Sequence, residues 1–123
     1  MLRRQRLGRS KIWSVQFDPG QVQRALDNLI LNAIQNTPSG GEIAVEAARR
    51  DNRLLLRVTD TGAGISAEIR DRLFEPFVST RAEGTGLGLA IVREIARAHH
   101  GEAQLTETQT GPRFEIDLPW QPS

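Results

Sequence analysis

The chain contains no cysteine and no tyrosine among its 123 residues. The missing cysteine excludes disulfides, thiolate metal sites and cysteine nucleophiles. Aromatic residues make up only 5% of the chain, which argues against binding single-stranded nucleic acid by base stacking. A formal charge of +1 argues against coating nucleic acid or acidic lipid. No apolar run approaches the roughly 18 residues of a membrane span, so we expect a cytoplasmic domain without membrane contact of its own.

What remains is the composition of one globular domain, with 38% hydrophobic and 25% charged residues. A chain of this length can build a two-layer core but not two independent domains. Basic residues concentrate at its start: Arg3, Arg4, Arg6, Arg9 and Lys11. We therefore divide the sequence into a basic stub over 1–11 and a globular domain over 12–123.

Alternating apolar and polar residues predict five strands. The predicted strands cover 12–17, 42–48, 53–59, 103–108 and 113–118. The second and third form a hairpin through Asp51, and so do the last two.

Helical spacing of apolar residues predicts a long helix from Val22 to Ile34 and a second from 85 to 100, with Gly101 as its stop. Ser66 is placed to cap a short helix through Leu73, and 74–83 is interpreted as a ligand-covering loop. This order of elements predicts an α/β fold. We expect a two-layer α/β sandwich, a mixed and mostly antiparallel sheet covered on one face by helices.

Three glycines at alternate positions, Gly84, Gly86 and Gly88, lead directly into the second long helix. Glycines turn backbone N–H groups toward a ligand, and a helix start adds unpaired N–H groups and the positive end of the dipole. A phosphate site and a purely structural turn explain this pattern equally well. The G-x-G-x-G spacing differs from the G-x-G-x-x-G of dinucleotide-binding oxidoreductases and disfavours that class.

Two asparagines, Asn28 and Asn32, lie one turn apart beside the apolar stripe of the first helix, and Gln35 follows. Asparagine is unfavourable inside helices, so the pair calls for an explanation. Either the side chains bond neighbouring loops, or an amide oxygen meets a hard cation such as Mg²⁺ that accompanies a phosphate.

Asp60 follows a predicted strand and precedes Gly62 and Gly64. An ionised carboxylate only accepts hydrogen bonds, so it suits the exocyclic amine of adenine. An Asx turn is the simpler interpretation of this stretch alone. Further on, Phe74 and Phe77 are expected to anchor the loop, and Arg81 is a candidate for a terminal phosphate.

Taken together, these stretches resemble the ATP-binding catalytic domain of sensor histidine kinases, in the superfamily that includes gyrase B, mismatch-repair ATPases and the ninety-kilodalton heat-shock chaperone. Four of its motifs occur in order: Leu26–Ala33 as the asparagine box, Asp60–Ile65 as the first glycine box, Phe74–Phe77 as the phenylalanine box and Gly84–Leu89 as the second glycine box. The run Ser79–Arg81 also resembles kinases that pair with nitrogen-regulation-type response regulators.

The resemblance implies a Bergerat-type fold with ATP and Mg²⁺ as cofactors. It implies that Asn32 ligates Mg²⁺, that Asp60 holds the adenine amine, and that 66–83 is the ATP lid. The catalytic residues implied are Asn28, Asn32 and Arg81. Residues expected around the nucleotide are Asn28, Asn32, Gln35, Asn36, Asp60, Gly62, Gly64, Ile65, Phe77, Thr80, Arg81, Gly84, Thr85, Gly86, Leu87, Gly88 and Leu89.

The resemblance implies that position 28 distinguishes kinases from hydrolases in this superfamily. In the ATPases, the corresponding position looks like a site for a glutamate that activates water as a general base. Asn28 cannot take a proton near neutral pH, so the resemblance implies a kinase whose phosphate goes to a histidine. We expect His99 and His100 to have capping or surface roles. The acceptor histidine then lies on a separate dimerisation domain, attached at the basic stub, and a response regulator is the further partner.

Two departures from the family pattern keep an alternative open. Gln35 stands where relatives often carry a basic phosphate contact, and Asn36 where an aromatic often packs on adenine. The alternative is a nucleotide-binding regulatory module, or an ATPase of the same superfamily, without histidine phosphotransfer. In either case the domain is placed in the cytoplasm, alone or as the cytosolic end of a membrane-anchored kinase.

Overall fold

A computed structural model describes residues 18–78 and 88–120, together with the backbone of 6–7 and 10–11. The predicted strand over 12–17 lies outside the described residues. Within the described part, two short strands form an antiparallel pair in the basic stub, β1 (Arg6–Leu7) and β2 (Ser10–Lys11). No described helix is both long enough and apolar enough to cross a bilayer.

The first long helix, α1, covers Pro19–Asn36. Asp18 caps it, since its Oδ1 accepts from the N–H of Gly20 at 2.9 Å and of Gln21 at 3.3 Å. Proline is favourable at the first helical position because its missing N–H would be unpaired there in any case. The predicted stripe is confirmed at Ala25, Leu29 and Ala33, which are buried, but its last residue, Ile34, is 56% exposed.

The sheet has four described strands, β3 (Ile43–Arg50), β4 (Arg53–Asp60), β5 (Glu102–Glu107) and β6 (Pro112–Pro119). Their order is β3-β4-β6-β5, and every described pairing in it is antiparallel. Both predicted hairpins are confirmed. The contact between β4 and β6, which joins them into one sheet, was not predicted.

The two faces of the sheet differ in chemistry. On the inner face, Val58 pairs with Phe114 and Leu56 with Ile116, and this face packs against α1 and the last helix. The outer face carries cross-strand ion pairs, such as Arg57 Nε to Glu115 Oε2 at 2.6 Å. The helices thus cover the apolar face alone, which confirms the predicted α/β sandwich.

Two further helices follow β4. The short α2 (Ala67–Arg70) begins at Ser66, whose Oγ accepts from the Glu68 N–H at 3.3 Å, as predicted. It ends earlier than expected, because residues 71–74 continue as turns. The last helix, α3 (Gly88–Ala98), buries Val92, Ile95 and Ala96.

The end of α3 differs from the prediction that Gly101 supplies the stop. His100 adopts the left-handed conformation, with φ of 64°. The Gly101 N–H bonds the Ala96 carbonyl at 2.8 Å and the His100 N–H bonds that of Arg97 at 3.0 Å, which is a Schellman motif. Gly101 is required for space instead, because a Cβ there would lie against the Asp117 carbonyl oxygen.

Candidate nucleotide-binding site

The C-terminal half of α1 contributes one polar face. Asn28, Asn32 and Asn36 recur every four residues, so they lie on one side of the helix, and Gln35 borders them. All three asparagines are partly buried, whereas Gln35 is exposed. The Nδ2 of Asn32 is buried, and among the described residues it meets no hydrogen-bond partner. A buried unpaired N–H is costly, so this atom gains from any acceptor that reaches it.

Asp60 ends β4 and is 1% exposed, the one charged residue in the described core. Its Oδ1 accepts from the Gly62 N–H at 2.7 Å. Its Oδ2 is buried and receives no hydrogen bond from any described residue. One oxygen of this carboxylate is therefore fixed by the following turn, and the other lacks a donor among the described residues.

Burial raises the pKa of the Asp60 carboxyl above its usual range. The hydrogen bond from the Gly62 N–H favours the charged form and opposes that rise. The negative charge of Glu107 adds to it. Such a carboxylate gains from any donor that meets Oδ2.

The two glycine positions after Asp60 differ in whether packing requires glycine. A Cβ on Gly62 would lie 2.4 Å from the Asn36 carbonyl oxygen, so only glycine lets this turn pack against the end of α1. A Cβ on Gly64 would lie nearest to the Glu107 carboxylate, at 3.5 Å, which is ordinary contact. Gly62 is thus needed by the fold, while protein packing alone does not demand Gly64.

Glu107 and Arg70 meet beside this loop, and sequence patterns did not predict this contact. Glu107 ends β5, and its Oε1 lies 2.9 Å from Arg70 Nη2 of α2. The same oxygen accepts from the Ile65 N–H at 3.4 Å. Ile65 is partly buried against the core. These contacts join residues 37 or more positions apart, and no local pattern signals them.

The two phenylalanines of the following loop behave differently. Phe74 packs edge to face on Phe114, with ring centroids 6.0 Å apart, and so anchors the loop as predicted. Leu73 is buried beside it, at 2% exposure. Phe77 is 78% exposed with φ of 67°, so the prediction that it anchors the loop is wrong. Its predicted contact with nucleotide stays a prediction.

Several predicted phosphate contacts lie outside the described residues: Thr80, Arg81, Gly84, Thr85, Gly86 and Leu87. Gly88 and Leu89 begin α3. A Cβ on Gly88 would meet no atom within 4 Å among the described residues, so packing there does not require glycine. Leu89 is partly buried against the core.

The described residues therefore bring three predicted features to one edge of the sheet. The last residue of α1 lies against the turn that follows Asp60, where the Asn36 carbonyl oxygen touches Gly62. These elements carry two buried polar atoms without a described partner, Oδ2 of Asp60 and Nδ2 of Asn32. Such a pair suits a flat base with an amine at one end and a charged, metal-bound group at the other.

Residues 17–122 match the family described as histidine kinase-, DNA gyrase B- and HSP90-like ATPase. Among curated proteins, the chain is 42% identical over 106 residues to the sensor histidine kinase ZraS of Escherichia coli O157:H7. That match covers 85% of this chain and 23% of ZraS. The chain thus spans about a quarter of the length of this relative.

Solved structures show the same relationship. The mycobacterial sensor histidine kinase MprB superposes with a TM-score of 0.79 at 31% identity, covering 90% of this chain and 80% of that one. Full-length ShkA, solved in complex with AMPPNP, gives a TM-score of 0.77 at 31% identity, covering 93% of this chain and 24% of ShkA.

The chain belongs to the histidine kinase-, DNA gyrase B- and HSP90-like ATPase family, as a catalytic domain of the sensor histidine kinase type. The resemblance in its motifs is thereby confirmed, and ATP is the nucleotide of the family.

Proposed function

We propose that this domain binds ATP with Mg²⁺ and presents the γ-phosphate to a histidine on a separate dimerisation domain. The observation that carries the proposal is the Asp60 carboxylate, 1% exposed, with Oδ2 lacking a donor among the described residues. The exocyclic amine of adenine supplies that donor. Guanine has a carbonyl oxygen in the same place, and a carboxylate repels it.

Asn32 fits the role of magnesium ligand. Its amide nitrogen is buried and unpaired among the described residues, and rotation by half a turn exchanges the nitrogen for the oxygen. Mg²⁺ prefers oxygen ligands and keeps several waters, so one neutral protein oxygen is compatible with a site completed by phosphates. When bound, the ion would neutralise charge on the phosphates, while Asn32 would orient it.

Asn28 supports transfer to a protein group instead of water. It lies one helical turn before Asn32, where a general base for hydrolysis would need a carboxylate. The nearest acidic neighbour in sequence, Asp27, is exposed and accepts from Gln23 Nε2 at 2.8 Å. Neither residue provides a buried base, so catalysis here amounts to positioning ATP for a nucleophile from outside.

The two histidines of the chain do not fit the role of nucleophile. His99 accepts from the Asp18 N–H through Nε2 at 2.9 Å, and its Nδ1 lies 2.8 Å from the Ile95 carbonyl oxygen. Nε2 therefore links the end of α3 to the start of α1, while Nδ1 bonds within the end of α3. At about 1.5 Å per residue, His99 and His100 lie roughly 16 Å or more along α3 from Gly88, where the predicted phosphate cradle meets the helix.

The proposal extends to partners and location. The acceptor is a histidine domain of the same kinase, and a response regulator receives the phosphate from it. The domain works in the cytoplasm, where ATP is available. Similarity to sensor histidine kinases supports all three statements.

Phosphotransfer from labelled ATP tests the proposal directly. The chain is mixed with γ-³²P-ATP, Mg²⁺ and candidate two-helix histidine domains, and transfer of acid-labile label to the histidine domain is expected. Asn32→Ala should abolish transfer and retain the fold by circular dichroism, with exposed Gln104→Ala as a matched surface control. Tight ATP binding without label transfer to any such domain would favour the regulatory-module alternative, and no ATP binding at millimolar concentration would refute both.

A further inference from the structure

We propose that Glu107 and Arg70 form a latch that positions the adenine side of the site, a deduction that rests on the proposed nucleotide binding. The latch consists of the ion pair between these side chains and of the Ile65 N–H bound to the same carboxylate. Neither residue belongs to the four motifs that the sequence resembles. Both are brought to the site by the fold.

Two contacts converge on one carboxylate oxygen, and a third joins the same set of residues. Glu107 Oε1 receives Arg70 Nη2 at 2.9 Å and the Ile65 N–H at 3.4 Å, while Arg70 Nη2 also lies 3.4 Å from the Ile65 carbonyl oxygen. Glu107 and Arg70 thus hold both backbone polar groups of Ile65. The end of the loop that starts at Asp60 is thereby fixed to β5 and α2 together.

The position of the latch explains why a base-binding loop needs it. Between Asp60 and Ile65, the bond from Gly62 to Asp60 fixes the start of the loop, and residues 63–66 have no regular secondary structure. The Glu107 carboxylate lies below Gly64, at 3.5 Å from where a Cβ would be. Without this support, the Gly62–Ile65 backbone would have to be ordered by the ligand, at a cost in affinity.

Charge gives the pair a second effect on the site. Glu107 lies close enough to Asp60 for its charge to disfavour the ionised Asp60 carboxylate. Arg70 places a compensating positive charge on Glu107. Removing Arg70 alone therefore leaves an unpaired carboxylate beside Asp60, whereas removing both side chains does not.

A double-mutant cycle tests the latch through nucleotide affinity. Arg70→Ala and Glu107→Ala should each weaken nucleotide binding about three- to five-fold, because a partly exposed ion pair contributes at most about 1 kcal/mol. In each variant, the affinities for ATP and for ADP should fall by the same factor. The nucleotide affinity of the double variant should be no lower than that of the single variant with the lower affinity. Glu107→Gln keeps an oxygen for Ile65 and should retain part of the affinity, which serves as the conservative rescue.

Glu102→Gln is the matched control, since Glu102 forms a comparably exposed pair with Arg97 at 3.2 Å on the opposite end of β5. It should leave nucleotide affinity unchanged. Melting temperatures are measured alongside, and should fall by no more in the latch variants than in the control. Unchanged affinity in both single variants, additive losses, or a loss confined to ATP would overturn the latch. Failure of the unmodified chain to bind ATP or ADP would instead refute the proposed function.

Discussion

The Gly62 N–H donates to Oδ1 of Asp60 at 2.7 Å and leaves Oδ2 of the same carboxylate without a described donor. One backbone group thus fixes the orientation of a buried charge and does not satisfy it fully. A buried carboxylate that lacks half of its partners destabilises the free protein, and a ligand with a donor relieves that cost. Stability and ligand binding are therefore opposed at this residue.

Asp60→Asn should stabilise the ligand-free domain while weakening its choice of base. The amide keeps an oxygen for the Gly62 N–H and removes the buried charge, so we expect the free energy of unfolding to rise by about 0.5–2 kcal/mol. The preference for ATP over GTP should fall, because an amide can donate as well as accept. Urea unfolding and competitive nucleotide titration at pH 7 measure the two effects. A destabilised variant with intact ATP preference would contradict both.

As the pH is lowered, nucleotide affinity should begin to fall at a higher pH than it would if the Asp60 pKa were that of an ordinary aspartate. Burial raises the Asp60 pKa, and only the ionised form can accept from the Gly62 N–H at Oδ1 and from the adenine amine at Oδ2 together. The contribution of Asp60 to folding stability changes with pH in the opposite direction. Since the folded pKa lies above the unfolded one, the Asp60 contribution to folding is greatest below the unfolded pKa and is lost as pH rises through the folded pKa.

Calorimetric titration with ADP at several pH values checks this dependence, with Asp60→Asn as the reference that lacks the group. The difference between the two proteins isolates Asp60 from protonation of the nucleotide. Parallel pH curves for the two proteins would show that Asp60 does not titrate in the binding range.

Much of the fold could be predicted because its signals are local. The stripe on α1, the two hairpins and the Ser66 cap each depend on residues within a few positions of one another. Asp60 could be placed at a strand end for the same reason. The position of β6 beside β4 could not, since pairs such as Val58 with Phe114 join distant parts of the chain and alternation alone does not choose a partner.

The parts of the site that escaped prediction are also non-local. Glu107 and Arg70 are ordinary charged residues in the sequence and acquire a role only when β5 and α2 meet. Phe77 resembled Phe74 in its motif, yet among the described residues only Phe74 has an aromatic partner within the core, Phe114. His100 takes the left-handed position that glycine usually fills, because the adjacent Gly101 is needed where the chain passes the Asp117 carbonyl.

Gly62→Ala and Gly64→Ala should separate a glycine required by packing from one that packing does not require. The added Cβ at Gly62 would lie 2.4 Å from a backbone oxygen of Asn36, which cannot move without shifting the end of α1. We expect Gly62→Ala to lower the free energy of unfolding by about 1–3 kcal/mol, and Gly64→Ala to change it by less than about 0.5 kcal/mol. Chemical denaturation compares them directly. Equal losses would mean that the Gly62 turn relaxes more easily than its contacts indicate.

The two histidines at the end of α3 should have opposite effects on stability. His99 links α3 to the start of α1 through the Asp18 N–H, so His99→Ala should cost about 1 kcal/mol for the lost hydrogen bonds. His100 is exposed with φ of 64°, and glycine adopts that conformation without the penalty of a Cβ. His100→Gly should therefore stabilise the domain by about 0.5–1 kcal/mol. If both variants also transfer phosphate to a separate histidine domain as the unmodified chain does, the nucleophile is external; loss of transfer in either folded variant would contradict the structural roles assigned to these residues.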